Sequence, residues 1–232
     1  MALLDFDYLL VLMHPFSKDS AKSTVDFFSQ NGIRKFVFLV DVDLNLHSAS
    51  WILDRIKQIK NELHSIRPYA TSFYFAANVS MSKDVLFHPD IDRLRIGHSR
   101  FLFLQLPCFI DEGWIQSDLN HLLFKKNIGP IFTSFDMNLK SNPPSMTASC
   151  LSSNFYRVAL DLNYMASPQG IASIKKILAN EVPLFPIVSC EQSNYVGIMR
   201  RFEWLHTEIG DVYYHRFCRN LWRTERHFFE KI

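Results

Sequence analysis

A chain of 232 residues with 48% hydrophobic and 21% charged residues has the composition of a globular protein with a sizeable core. Its formal charge of +2 is too mild for a nucleic-acid surface. Only 7 Gly argue against phosphate-cradling glycine loops, which need backbone freedom and close approach, whereas 21 Phe point to a large packed interior.

The four cysteines, Cys108, Cys150, Cys190 and Cys218, form no CxxC pair, so neither a zinc site nor a redox pair is supported. The apolar opening MALLDFDYLLVLMHPF is too short, and too broken by Asp5 and Asp7, to span a bilayer. It also lacks the basic region and small-residue cleavage site of a signal peptide. These features lead us to expect a cytoplasmic chain with reduced thiols and no membrane span.

In chain order, the first strand is predicted at Tyr8 to Met13 and the first helix from about Asp19 to Asn31, capped by Ser17 or Asp19. A second strand covers Phe36 to Val40. A helix from Ser48 to Ile66 follows, with Trp51, Ile52, Ile56, Ile59 and Leu63 spaced as one buried face. Further strands are predicted at Phe73 to Val79, Phe101 to Leu106, Ile131 to Phe135, Val158 to Leu162 and Leu184 to Val188. Helical stretches lie at Ile115 to Lys126, Gln169 to Asn180, Tyr195 to His206 and Asp211 to Glu230, and the proline-broken run Asn142 to Asn154 reads as a loop. Strands that are apolar throughout, with helices between them, imply a parallel sheet covered on both faces, and seven such units fit a closed barrel better than an open sheet. In that architecture the functional groups sit at the C-terminal strand ends.

Just past the strands lie His14 and Asp19, Asp41 and Asp43, Asn78, Gln105, Ser134 and Asp136, Asp161 and Asn163, then Cys190, Glu191 and Gln192. This series resembles the PHP-superfamily metal-dependent protein-tyrosine phosphatases of bacterial capsular and exopolysaccharide operons. Their first strand ends in His-x-His before a Leu-Pro-Gly-x-Asp-Asp-Gly-Ala-Lys loop. Here LLVLMHPFSKDSAKS keeps Pro15, Asp19, Ala21 and Lys22, with Leu10 and Leu12 where the histidines belong. The Gly-Ile, strand and Thr-Pro-His signature becomes NGIRKFVFLVD, with Asp41 at the histidine. Asn78 stands for the glutamate that ends the third strand, and Gln105 in FLFLQLP for the Glu of Glu-x-Pro. NIGPIFTSFDMN puts Ser134 at the next histidine and Asp136 and Met137 at Glu-Arg, and the final Ser-Asp-x-His becomes Ser189, Cys190, Glu191 and Gln192.

The resemblance spans nearly the whole chain and implies one PHP-like distorted TIM-type (β/α)7 barrel with C-terminal helices over residues 1–232. It also implies that the metal centre is degenerate. Leucine offers no lone pair, and neutral amide or hydroxyl oxygens do not offset the charge of a metal cluster. Lys18 adds positive charge near the first acidic loop position. The leading expectation is therefore a catalytically inactive homologue with no cofactor, a binding or regulatory protein in surface-polysaccharide production. Its partner would be a protein such as a bacterial tyrosine kinase. The alternative is a divergent phosphohydrolase holding Mn or Zn in a site rebuilt around Asp41, Asp136, Cys190 and Glu191. A third reading, the structural role of the PHP-like subunit of ribonuclease P, is opposed by the mild charge.

Other residues carry plainer readings. His14 is a surviving ligand or a solvated loop residue, and Asp43 a cation ligand or a helix cap. Cys190 is a nucleophile or a buried thiol, with no sequence-adjacent histidine to activate it. The arginines Arg200, Arg201, Arg219, Arg223 and Arg226 grip an anion or line a solvated face. The aromatic set Tyr213, Tyr214, Phe217, Trp222, Phe228 and Phe229 is expected to pack on the barrel or form an oligomer contact.

Overall fold

A computed structural model describes residues 8–13, 17–96, 99–106, 121–133, 157–165, 167–189 and 195–218, with only the backbone of residues 83, 84, 123, 163, 201 and 202. Seven parallel strands close into a barrel in chain order: β1 (Tyr8–Leu12), β2 (Lys35–Val42), β3 (Ser72–Ser80), β4 (Phe101–Gln105), β5 (Gly129–Thr133), β6 (Arg157–Asp161) and β7 (Leu184–Ser189). Closure is made by β7 on β1, where Leu10 pairs with Ile187 and Leu12 with Ser189. The expected (β/α)7 class is therefore the observed one. Closure makes β2 and β7 flank the same strand, β1.

The helices form where caps and periodicity coincide. Helix α1 (Lys18–Gln30) starts at Ser17, whose Oγ accepts from the Ser20 N–H at 3.3 Å, so Ser17 and not Asp19 is the cap. It buries Ala21, Thr24, Val25 and Phe28, the spacing of one helical face. Helix α2 (Ala49–His64) is capped by Ser48, which accepts from the Trp51 N–H at 3.2 Å. A short α3 (Lys83–Leu86) follows β3, and α4 (Leu162–Met165) follows β6. Helix α5 (Pro168–Ala179) begins with proline at its first position, where no N–H is required. Its Gly170 is required by contact: a Cβ there would lie 1.8 Å from the Tyr164 carbonyl oxygen. Helix α6 (Tyr195–Ile209) and a helix over 211–218, α7, complete the described chain, placing Tyr214 and Phe217 in the core as expected.

The expected helix at Ile115 to Lys126 is described only from 121, where a single wide turn spans His121–Lys125. The segments 134–156 and 219–232, with the predicted loop and the remaining C-terminal aromatics, lie outside the described residues. Strand β5 starts two residues before the expected position and ends at Thr133. Strand β3 departs from the all-buried expectation, since Ser72 to Phe75 are half-buried. There Phe73 and Phe75 pack on Phe38 with ring centroids at 5.0 and 5.3 Å, an aromatic ladder on the outer wall that accounts for part of the high Phe content.

Alternation sorts the strand residues. Leu10 pairs with Val37, Leu12 with Leu39, Asp41 with Asn78, and Asn78 with Phe103, so these share the inner face. At the N-terminal end of the barrel, Tyr8 meets Phe185 with centroids at 6.4 Å, and the Arg157 guanidinium lies 4.2 Å from the Phe101 ring centre. Gly129 leaves room for that ring, since a Cβ there would come within 2.9 Å of Phe101.

Candidate functional site

At the C-terminal end of the barrel, three strands contribute a continuous polar chain. The Asn78 amide N–H donates to Asp41 Oδ1 at 2.6 Å, and the Thr133 hydroxyl donates to Asn78 Oδ1 at 2.7 Å. Asn78 and Thr133 are buried, so these bonds form away from competing water. A carboxylate only accepts, which fixes the amide with its N–H toward Asp41 and its carbonyl toward Thr133. Beside this chain the Ser80 hydroxyl donates to Gln105 Oε1 at 3.3 Å. Leu10 is fully buried on the inner face of β1, with Leu12 above it half-buried.

The structure thus brings together five residues singled out from the sequence: Leu10, Leu12, Asp41, Asn78 and Gln105. Ser134, Asp136, Cys190, Glu191, Gln192 and His14 lie outside the described residues. Two residues of this polar group were missed. Thr133 was passed over in favour of Ser134, and the signal for it was the strand end itself, since Thr133 pairs with Gln105. Ser80, two residues after Asn78 on the same strand face, had the same signal.

A cleft of about 540 Å3 opens beside this network. One wall is formed by the strand ends, with Asp41, Asp43 and Gln105; the other is α2 with the turn before it, presenting His47, Trp51 and Arg55. Trp51 and Arg55, four residues apart, share one face of α2, and His47 stands in the turn before it. Trp51 is accordingly 49% exposed, and its expected place in the buried face of α2 is corrected: Ala49, Ile52, Ile59 and Leu63 form that face. Trp51 and Arg55 lie on the cleft side of the helix's first two turns, and Ile59 closes the same row where it returns to the core.

His47 and Trp51 are stacked, with centroids 3.9 Å apart and planes at 18°. The His47 Nδ1 is shut off from solvent without a hydrogen-bond partner among the described residues, an arrangement that costs about 1–3 kcal/mol. Asp43 Oδ1 accepts from the Asn45 N–H at 2.8 Å, so Asp43 closes a local turn and does not cap α2.

The donor set tests whether a metal cluster of the kind the resemblance implies would fit. At the described strand ends it consists of the carboxylates of Asp41 and Asp161, two amides, hydroxyls and two leucines. The Asn78 amide turns an N–H toward the Asp41 carboxylate where a further anionic ligand would be needed. Among the described residues no three His, Cys, Asp or Glu side chains converge. The other positions at which the resemblance places ligands, Ser134, Asp136, Cys190 and Gln192, lie outside the described residues.

Fold and site together define a seven-stranded parallel α/β barrel with polar groups at its C-terminal mouth. The chain is similar to a structure from work on YwqE from Bacillus subtilis and CpsB from Streptococcus pneumoniae, described as unique metal-dependent tyrosine phosphatases. The TM-score is 0.67 at 12% identity, over 93% of this chain and 89% of that one. A second structure, a GH20 β-N-acetylhexosaminidase from Streptomyces coelicolor, reaches a TM-score of 0.36 at 10% identity over 78% of this chain and 47% of that one, too low to inform the reading. No protein-family model matches the chain, and no curated protein does. No helix among the described residues is long and apolar enough to cross a membrane.

Proposed function

We propose that this chain is a pseudoenzyme: a barrel of the metal-dependent tyrosine-phosphatase type whose strand-end site binds or regulates without a catalytic metal. The observation that carries this reading is the Asp41–Asn78–Thr133 chain. It uses Asn78's two hydrogen-bonding ends within the protein and directs a donor, not a ligand, at Asp41. The site then needs no cofactor. Its action runs through a protein partner, a bacterial tyrosine kinase by the resemblance to the polysaccharide-operon phosphatases, in the cytoplasm where such kinases present their tails.

The test is turnover of p-nitrophenyl phosphate and of a phosphotyrosine peptide, with Mn and with Zn added. Rates equal to those of protein-free buffer are expected. Restoring histidines with Leu10→His and Leu12→His should leave them there, because Asp41, Asn78 and Gln105 still lack the family's ligands. Saturable, metal-stimulated turnover by the unaltered chain would support instead a divergent hydrolase rebuilt around Asp41, Asp136, Cys190 and Glu191.

A further inference from the structure

We infer that the cleft between α2 and the strand ends is a binding site for a neutral saccharide. This rests on the non-catalytic reading of the site and adds the class of ligand. The cleft's volume of about 540 Å3 suits a small ligand, since such sites typically span roughly 300–1,000 Å3.

Its two walls differ in chemistry, and the difference selects the ligand. On the α2 side Trp51 is half exposed and held flat against His47, with centroids 3.9 Å apart. An indole kept at a cleft surface gives an apolar face with a polar edge. A pyranose matches this: its C–H face packs on the ring while its hydroxyls project sideways. On the strand side Asp41, Asp43 and Gln105, planar groups rich in acceptor lone pairs, stand among Met13, Val40 and Val42, and Arg55 supplies donors from the helix. Such a set hydrogen-bonds adjacent hydroxyls in pairs.

Charge excludes the obvious rival. Of the lining side chains, Arg55 carries one formal positive charge and Asp41 and Asp43 two negative ones, an excess of one carboxylate over guanidinium. A phosphate, sulfate or uronate would meet two carboxylates for one guanidinium, a net repulsion in a partly enclosed site. An ammonium ligand would meet a net attraction from the carboxylates and the indole, but it leaves Arg55 and Gln105 without the hydroxyls they can bond. A neutral polyhydroxy ring meets no opposition.

The test is saturation-transfer NMR and calorimetry on the full chain. The panel comprises neutral hexoses, N-acetylhexosamines and their disaccharides, with phosphotyrosine, inorganic phosphate and butylamine as the other arms. At least one neutral saccharide should bind saturably, in roughly the millimolar range. Trp51→Ala should weaken it about tenfold or more and Trp51→Phe far less. Trp204→Ala, at an exposed tryptophan outside the cleft, should leave binding unchanged. Trp51 is half exposed, so Trp51→Ala should melt with the parent protein. Silence across the neutral panel, or Trp51-dependent binding of phosphotyrosine, phosphate or butylamine in its place, would overturn the inference. Neither result touches the pseudoenzyme reading, which falls only on metal-stimulated turnover.

Discussion

The two ends of the barrel handle buried polarity in opposite ways. At the C-terminal end the carboxylate of Asp41 is answered by an amide, and the amide by a hydroxyl, each bond below 2.8 Å. At the N-terminal end Arg157 lies over the Phe101 ring with its Nε unbonded among the described residues. Burial, and then the neighbouring Arg100 guanidinium, lower its pKa to about 10. The ring face returns part of that cost. One end is a closed hydrogen-bond circuit and the other a desolvated cation, so the same operation, deleting a polar side chain, should have opposite signs at the two ends.

The largest effect is expected from Asn78→Leu. It fills the same space but removes a donor to the Asp41 carboxylate and the shorter of the Thr133 hydroxyl's two bonds, and should destabilise the fold by about 2 kcal/mol, read as a lower urea midpoint at unchanged slope. A neutral or stabilising result would break the comparison. Arg157→Met should act the other way, removing a desolvated charge from beside an aromatic ring and stabilising by about 1–2 kcal/mol.

This second effect has a pH signature. The folded-state value of about 10 lies well below the ordinary range of an arginine. Below pH 10 both states are protonated and the cost is present in full. Above it the folded state gives up its proton first, so stability rises with pH and the difference between parent and variant closes. Denaturation of both proteins at about pH 8 and about pH 11 would reveal it. Thr133→Val removes one donor while leaving the Asp41–Asn78 bond, and about 1 kcal/mol of destabilisation is expected by the same titration. Trp51→Ala, on the cleft wall, should change stability by less than about 0.5 kcal/mol.

The barrel could be read from residues because its signal is local: each of the seven strands is an apolar run flanked by turn residues, and a closed parallel barrel buries such runs on both faces. The start of β5 was misplaced because Gly129 and Pro130 carry the local signature of a turn, yet both pair within the barrel, with Phe101 and Leu102. The strand-end placement of Asp41, Asn78 and Gln105 was legible because parity and strand ends suffice to find them. The bond between Asp41 and Asn78 was not, since it joins strands 37 residues apart and depends on register. Trp51 was misassigned for a related reason: helical spacing shows that a stripe shares a face, but only the neighbouring strands decide whether that face is covered.

The central claim, that the strand-end site works without a metal centre, meets its most direct test in elemental analysis of the full chain purified without chelator. The account expects substoichiometric Mn, Zn and Fe that fall further on dialysis, with no change in melting temperature. Two or more tightly held metal ions per chain, with a melting temperature that drops on their removal, would contradict it.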